Sequence, residues 1–144
     1  MFQLQLTEGQ AQAVAEALEL YTRMGLGQVD FLAEQVRMSR LVPEFSAKPL
    51  ADAERKPLSV RQIDEIETAC AAIRRALKYP GGASYGVGSP AVSLPVHRAY
   101  EVSCVVRKAL AEQRGISAPH VDLDGLVVRY TSDPAPVCKV TPSP

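Results

Sequence analysis

The stretch VDLDGLVVRY, Val121 to Tyr130, decides whether a sheet accompanies the helices of this chain. Val121 and Leu123 alternate with polar residues. The phase then shifts, and Leu126, Val128 and Tyr130 form the next apolar set. A two-residue turn at Asp124–Gly125 accounts for the shift by pairing Leu123 with Leu126 and Val121 with Val128, so that all five share one face. A bulge at Gly125 within one longer strand accounts for it equally. On either geometry the segment reads as strand. FQLQL at 2–6 alternates in the same way and adds a second strand region. VCKV at 137–140, after Asp133–Pro134, adds a further candidate.

The rest of the chain reads as helix. Thr7 with Gln10 three residues on is a capping box, and Val14, Ala17, Leu18, Tyr21 and Met24 form an apolar stripe behind it. Gly25 and Gly27 interrupt that pattern before Val29, Leu32 and Val36 resume it, which reads as a kinked continuation or a second short helix. The paired glycines mark a close backbone approach from another helix. Residues 43–58 carry Pro43, Pro49 and Pro57 and read as an irregular connection. Ser59 with Gln62 is a second capping box. It opens a helix with the stripe Val60, Ile63, Ile66, Cys70, Ile73 and Leu77, with Arg61, Glu65, Glu67 and Arg74 pointing elsewhere. A third long helix starts at Pro95, carries Val96, Ala99, Tyr100, Ser103, Val106 and Leu110, and ends at Gly115. No period recurs. The expected fold is α+β: three main helices packed on a small antiparallel β-sheet. It forms a single domain over 1–144, with a glycine-rich loop at 79–90 and a frayed tail at 141–144.

Composition narrows the function. The chain has 144 residues, 47% hydrophobic and 22% charged, which suits a globular domain with a core. Sixteen basic residues balance sixteen acidic ones, so no positive footprint for duplex nucleic acid stands out. No apolar run approaches the ~20 residues of a membrane helix, and the N-terminal residues do not read as a signal peptide. Three scattered cysteines, Cys70, Cys104 and Cys138, fit reduced thiols in a cytosolic setting.

No catalytic set emerges. GVGSPA at 86–91 matches the dinucleotide fingerprint G-x-G-x-x-A, but a helix precedes it and Pro90 lies inside it, whereas the fingerprint needs a strand before and a helix starting at the glycines. DLDG at 122–125 reads as a turn rather than a carboxylate metal site. His97 and His120, the two histidines, lack zinc-ligand spacing. A nucleophile–base pair of Ser103 or Cys104 with His97 is open in principle, but Ser103 lies on roughly the opposite side of a 3.6-residue helix and Cys104 two turns off, and core packing is the better reading of both. No cofactor is implied. The arginines carry more. Arg107 follows the apolar Val105–Val106, at the edge of a packed surface. An arginine there, glycine-loop amides and a tyrosine to stack on suit a nucleotide phosphate and its base.

Two segments, LTEGQAQAVAEALELYTRMGLGQ (6–28) and YGVGSPAVSLPVHRAYEVSCVVRKALA (85–111), resemble small phage-encoded proteins. In those, an N-terminal helix ends in a Tyr-x-Arg-x-x-x-Gly-Gln-like run, and a later helix carries Tyr, then a Val/Ile-Arg pair and Leu-Ala. The family is the first type of Thoeris anti-defence protein. Tyr100–Glu101 fits its pattern; Lys108 stands where the family has a polar aromatic. The resemblance implies a sponge, an oligomer that sequesters a cyclic ADP-ribose immune signal without cleaving it, some members being associated with cyclic oligonucleotides. It implies Arg107 for phosphate, Ser84 and Tyr85 for the loop contact, and Tyr21, Arg23 and Gln28 near a subunit interface. It also implies a homo-oligomer, a hexamer being one option, in the cytoplasm of an infected bacterium. The competing expectation is a protein-binding accessory module that inhibits a host enzyme by direct contact, through an exposed apolar patch. A small hydrolase has the least support.

Overall fold

The computed structural model of the chain describes residues 4–38, 58–77, 79, 84–115 and 130–140. These hold four helices: α1 (Glu8–Gly25), α2 (Asp30–Arg37), α3 (Val60–Ala76) and α4 (Leu94–Gln113). No strand occurs among the described residues. The chain divides into two compact units, one of Met1–Leu26 with Tyr85–Pro144 and one of Gly27–Ser84.

This corrects the α+β expectation. Period-2 alternation makes a strand only when one face is buried and the backbone finds a partner. Leu4 is 74% exposed and Val137 also 74%, so neither alternating run has a covered face. Pro134 and Pro136 also remove amide donors from the segment leading to 137–140. The turn or bulge at Asp124–Gly125 lies outside the described residues, as do most of the 43–58 connection, Gly81, Gly82 and the tail at 141–144.

In the first unit α1 and α4 pack as an antiparallel pair. Glu8 at the start of α1 accepts from Arg114 just past α4 (2.8 Å). Ala15 packs on Val106 and Leu110. Gly25 at the end of α1 meets Val96 near the start of α4. Thr7 and Gln10 form the expected reciprocal cap (2.9 and 3.3 Å). Ser93 adopts the N-cap conformation for α4, with Pro95 in its first turn, where a missing amide costs nothing. Gly115, at φ +64°, follows its end, as expected.

The buried face of α4 is close to the expected one, with Val96, Ala99, Ser103, Val106 and Leu110 inside. That of α1 is not. Ala15 and Thr22 are buried, while Ala17 is exposed and Tyr21 is 50% exposed. The packed line therefore consists of small side chains. Branched residues on α4 fill the interface, and α1 contributes little volume so that the axes come close. The Thr22 hydroxyl donates to the Leu18 carbonyl (2.8 Å), so its burial leaves no orphan polar atom.

In the second unit α2 and α3 also run antiparallel. Arg74 donates to Asp30 (2.6 Å) and Arg37 pairs with Glu67, which ties both ends of α2 to α3. Glu67 and Arg74, expected to point elsewhere, thus face α2. Ser59 and Gln62 form the second reciprocal cap (3.0 and 3.3 Å). Cys70 is buried, and burial pushes its thiol pKa up, with the nearby Asp30 and Glu67 charges adding to the rise and an Ala33 backbone hydrogen bond opposing it. The expected α3 stripe is only partly covered: Ile73 is 43% and Leu77 61% exposed. Eight residues of α2 span about 12 Å and lie along Glu67 to Arg74, so the first turns of α3, with Val60 76% exposed, extend beyond it. The expected second short helix after Gly25–Gly27 is α2. Gly27 has φ +83°, and a Cβ there would lie 2.5 Å from the Tyr79 ring. Only glycine suits both conditions.

Candidate functional site

The loop before α4 is tied down residue by residue. Tyr85 donates its amide to the Leu26 carbonyl (2.9 Å), and its half-buried ring packs with Val87 against Leu26, Val92 and Val96. The Val87 carbonyl accepts from His97 Nε2 (2.8 Å), which assigns the proton to that nitrogen. Ser89 donates to Gly86 (2.9 Å) and Val92 to Ser89 (3.0 Å), closing two successive turns. A Cβ on Gly88 would sit 3.1 Å from Tyr130 Cε1. The second glycine of GVG therefore makes room for a tyrosine of the same chain. Residues 84–92 are a fitted loop, not slack, and α4 begins only at Leu94, too late for a dinucleotide site.

The expected ligand residues fall in separate places. Tyr85 lies with Val96 at the beginning of α4. Arg107 lies eleven residues further along the same helix, about 16 Å along its axis. One chain therefore does not gather Tyr85 and Arg107 into one small pocket. Tyr21 and Arg23 sit on the last turns of α1, Tyr21 exposed and Arg23 paired with Glu19 (3.3 Å). Gln28 and Ser84, 56 residues apart, do meet in the second unit, with Gln28 Nε2 donating to Ser84 Oγ (3.3 Å).

Arg107 stands out by its surroundings. It is half-buried, next to Val106 in the α1–α4 interface. Arg23, Arg37, Arg61, Arg74, Arg98 and Arg114 each meet a carboxylate. Arg107 meets none among the described residues. A guanidinium that meets no carboxylate keeps donors that a planar anion can take in pairs.

A second cluster was not foreseen. Glu101 is 2% exposed. Its Oε1 accepts from the amides of Tyr130 (2.7 Å) and Thr131 (2.8 Å), and its Oε2 from the Thr131 hydroxyl (2.7 Å). The Tyr130 ring stacks on His97, with centroids 5.4 Å apart, and meets Tyr100 edge-on at 5.9 Å. Arg98 grips Asp133 through Nε and Nη2, a pairing that raises the Arg98 pKa further. One turn of α4 thus directs four side chains at one short segment. Tyr100–Glu101 was visible in the sequence only as a pair. The residues it binds are about thirty positions away, in a segment without regular structure, so no local spacing points to them.

Ser103 and Cys104 are buried on α4. Among the described residues no group of histidine, cysteine and carboxylate side chains is placed to hold a metal ion, and no helix is long and apolar enough to cross a membrane. His120, Asp122 and Asp124 lie outside the described residues. Comparison with protein-family models, with curated proteins and with solved structures gives no match.

Proposed function

We propose that the chain is a non-enzymatic binding protein that sequesters a phosphorylated, nucleotide-derived ligand, with Arg107 as its anion contact. The observation that carries this is the state of Arg107: half-buried, and without a carboxylate among the described residues, while six other arginines have one. A guanidinium placed so gains a charge-assisted, bidentate pairing when a phosphate arrives, without first giving up an internal partner. The resemblance to the Thoeris anti-defence proteins supplies the ligand class, a cyclic ADP-ribose derivative. Because Tyr85 and Arg107 are about 16 Å apart along α4, a ligand that uses both does so between copies in a homo-oligomer. In that reading Gln28 and Ser84, already hydrogen-bonded, form a polar contact of their own.

Isothermal titration with glycocyclic ADP-ribose tests this. Heat of binding is expected for the wild type. For Arg107→Ala we expect none, with a melting temperature within about 2 °C of wild type, as for a surface change. A folded wild type that gives no heat overturns the reading. An Arg107→Ala variant that unfolds makes Arg107 a structural residue instead.

The alternative, a module that blocks a host enzyme by contact, draws on the exposed Ile73 and Leu77 of α3. On that reading Ile73→Lys abolishes inhibition of the host enzyme, and Arg107→Ala leaves it intact.

A further inference from the structure

We propose that the segment Tyr130–Thr131, clasped by Glu101, is a brace that sets the loop 85–92, so that whatever holds or frees this segment holds or frees the loop. Glu101 is then a positioning residue, and it acts on the loop through Tyr130. All the parts belong to the first unit. The proposal stands whether or not Arg107 binds an anion.

The contacts form one series. Glu101 Oε1 accepts from the amides of Tyr130 and Thr131, which fixes the backbone of the segment. That backbone carries the Tyr130 ring, which stacks on His97 with centroids 5.4 Å apart. His97 Nε2 in turn donates to the Val87 carbonyl (2.8 Å). The same ring lies so close to Gly88 that a Cβ there would be 3.1 Å from Tyr130 Cε1. The loop is thus gripped at two adjacent residues, and both grips lead to Tyr130. They fall between the Tyr85 amide, which donates to Leu26, and the two turns closed by Ser89 and Val92. Those turns gain from outside support. Each is closed by a single backbone bond, and a Cβ on Gly86 would meet nothing within 4 Å. A one-bond turn with little packed around it opens readily. Tyr85, at the start of the loop, is in this way positioned from a segment about forty-five residues further along the chain.

Amide hydrogen exchange on the full chain, without ligand, tests the brace. Tyr130→Ala removes a half-buried ring and keeps both amides that Glu101 takes. Exchange at Ser89 and Val92 is expected to rise roughly tenfold, while the Thr131 amide stays protected. Glu101→Ala is expected to free Thr131 and the loop together. Glu101→Gln should restore both, because its oxygen takes the two amides and its amino group donates to the Thr131 hydroxyl. Added to Tyr130→Ala, Glu101→Ala should change nothing more at Ser89. Loop exchange that Tyr130→Ala leaves unchanged overturns the proposal. So does a rise of the same size at Val106, in the packed face of α4, since the loop would then open with the whole unit. A further rise at Ser89 in the double variant overturns the route through the ring. The Tyr130→Ala arm decides even where Glu101→Ala fails to fold.

Discussion

Gly25 shows how far a single residue can be read. A glycine in a helix weakens it, so the sequence marks a close approach there. It cannot name the partner, because Val96 is 71 positions away. A Cβ on Gly25 would lie 2.2 Å from Val96 Cγ2, and that contact lies inside one chain rather than at a subunit boundary. Gly25→Ala is therefore expected to cost 1–3 kcal/mol, about the cost of overpacking a tight interface. In a Val96→Ala background the added methyl has room, and urea unfolding should recover most of the loss. Additive losses in the double variant would show that the contact is not the cause. Glu101 is the opposite case. An acid inside an apolar helix face announces nothing locally, and the amides of Tyr130 and Thr131 that it accepts from lie about thirty positions away.

At the scale of elements, the ends of helices were the most legible feature. Both reciprocal caps expected from T-x-x-Q and S-x-x-Q are formed. They are local devices that need no tertiary partner. Ser59→Ala should cost about 1 kcal/mol and speed amide exchange at Gln62, whose N–H bonds Ser59 Oγ. Unchanged exchange there would mean that the cap contributes little. Faces were less legible than ends. The α1 stripe favoured Val14, Ala17 and Tyr21 by hydrophobicity, whereas α4 selects the smaller Ala15 and Thr22 by shape. The strands failed for a related reason: alternation describes a face, and at Leu4 and Val137 no other element covers it.

At the scale of the molecule, the first unit is assembled from two distant stretches, and the second is a continuous insert of 58 residues from 27 to 84. The two crossings leave the first unit side by side, where the Tyr85 amide donates to Leu26, and enter the second side by side, where Gln28 donates to Ser84. The consequence is kinetic. With the insert unfolded, α1 can find α4 only by closing a loop of 58 residues. With the insert folded and its ends held together, only a few residues remain to be closed. The difference in loop entropy is about 2 kcal/mol, or roughly thirtyfold in the rate of pairing. Folding should therefore run outward from the middle of the chain. In stopped-flow experiments Gln28→Ala should slow formation of the α1–α4 pair more than it destabilises the finished protein. Equal effects on rate and stability would count against this order of events. On this view the Gln28–Ser84 contact acts as a time-keeper, joining the two ends of the insert before the outer helices meet.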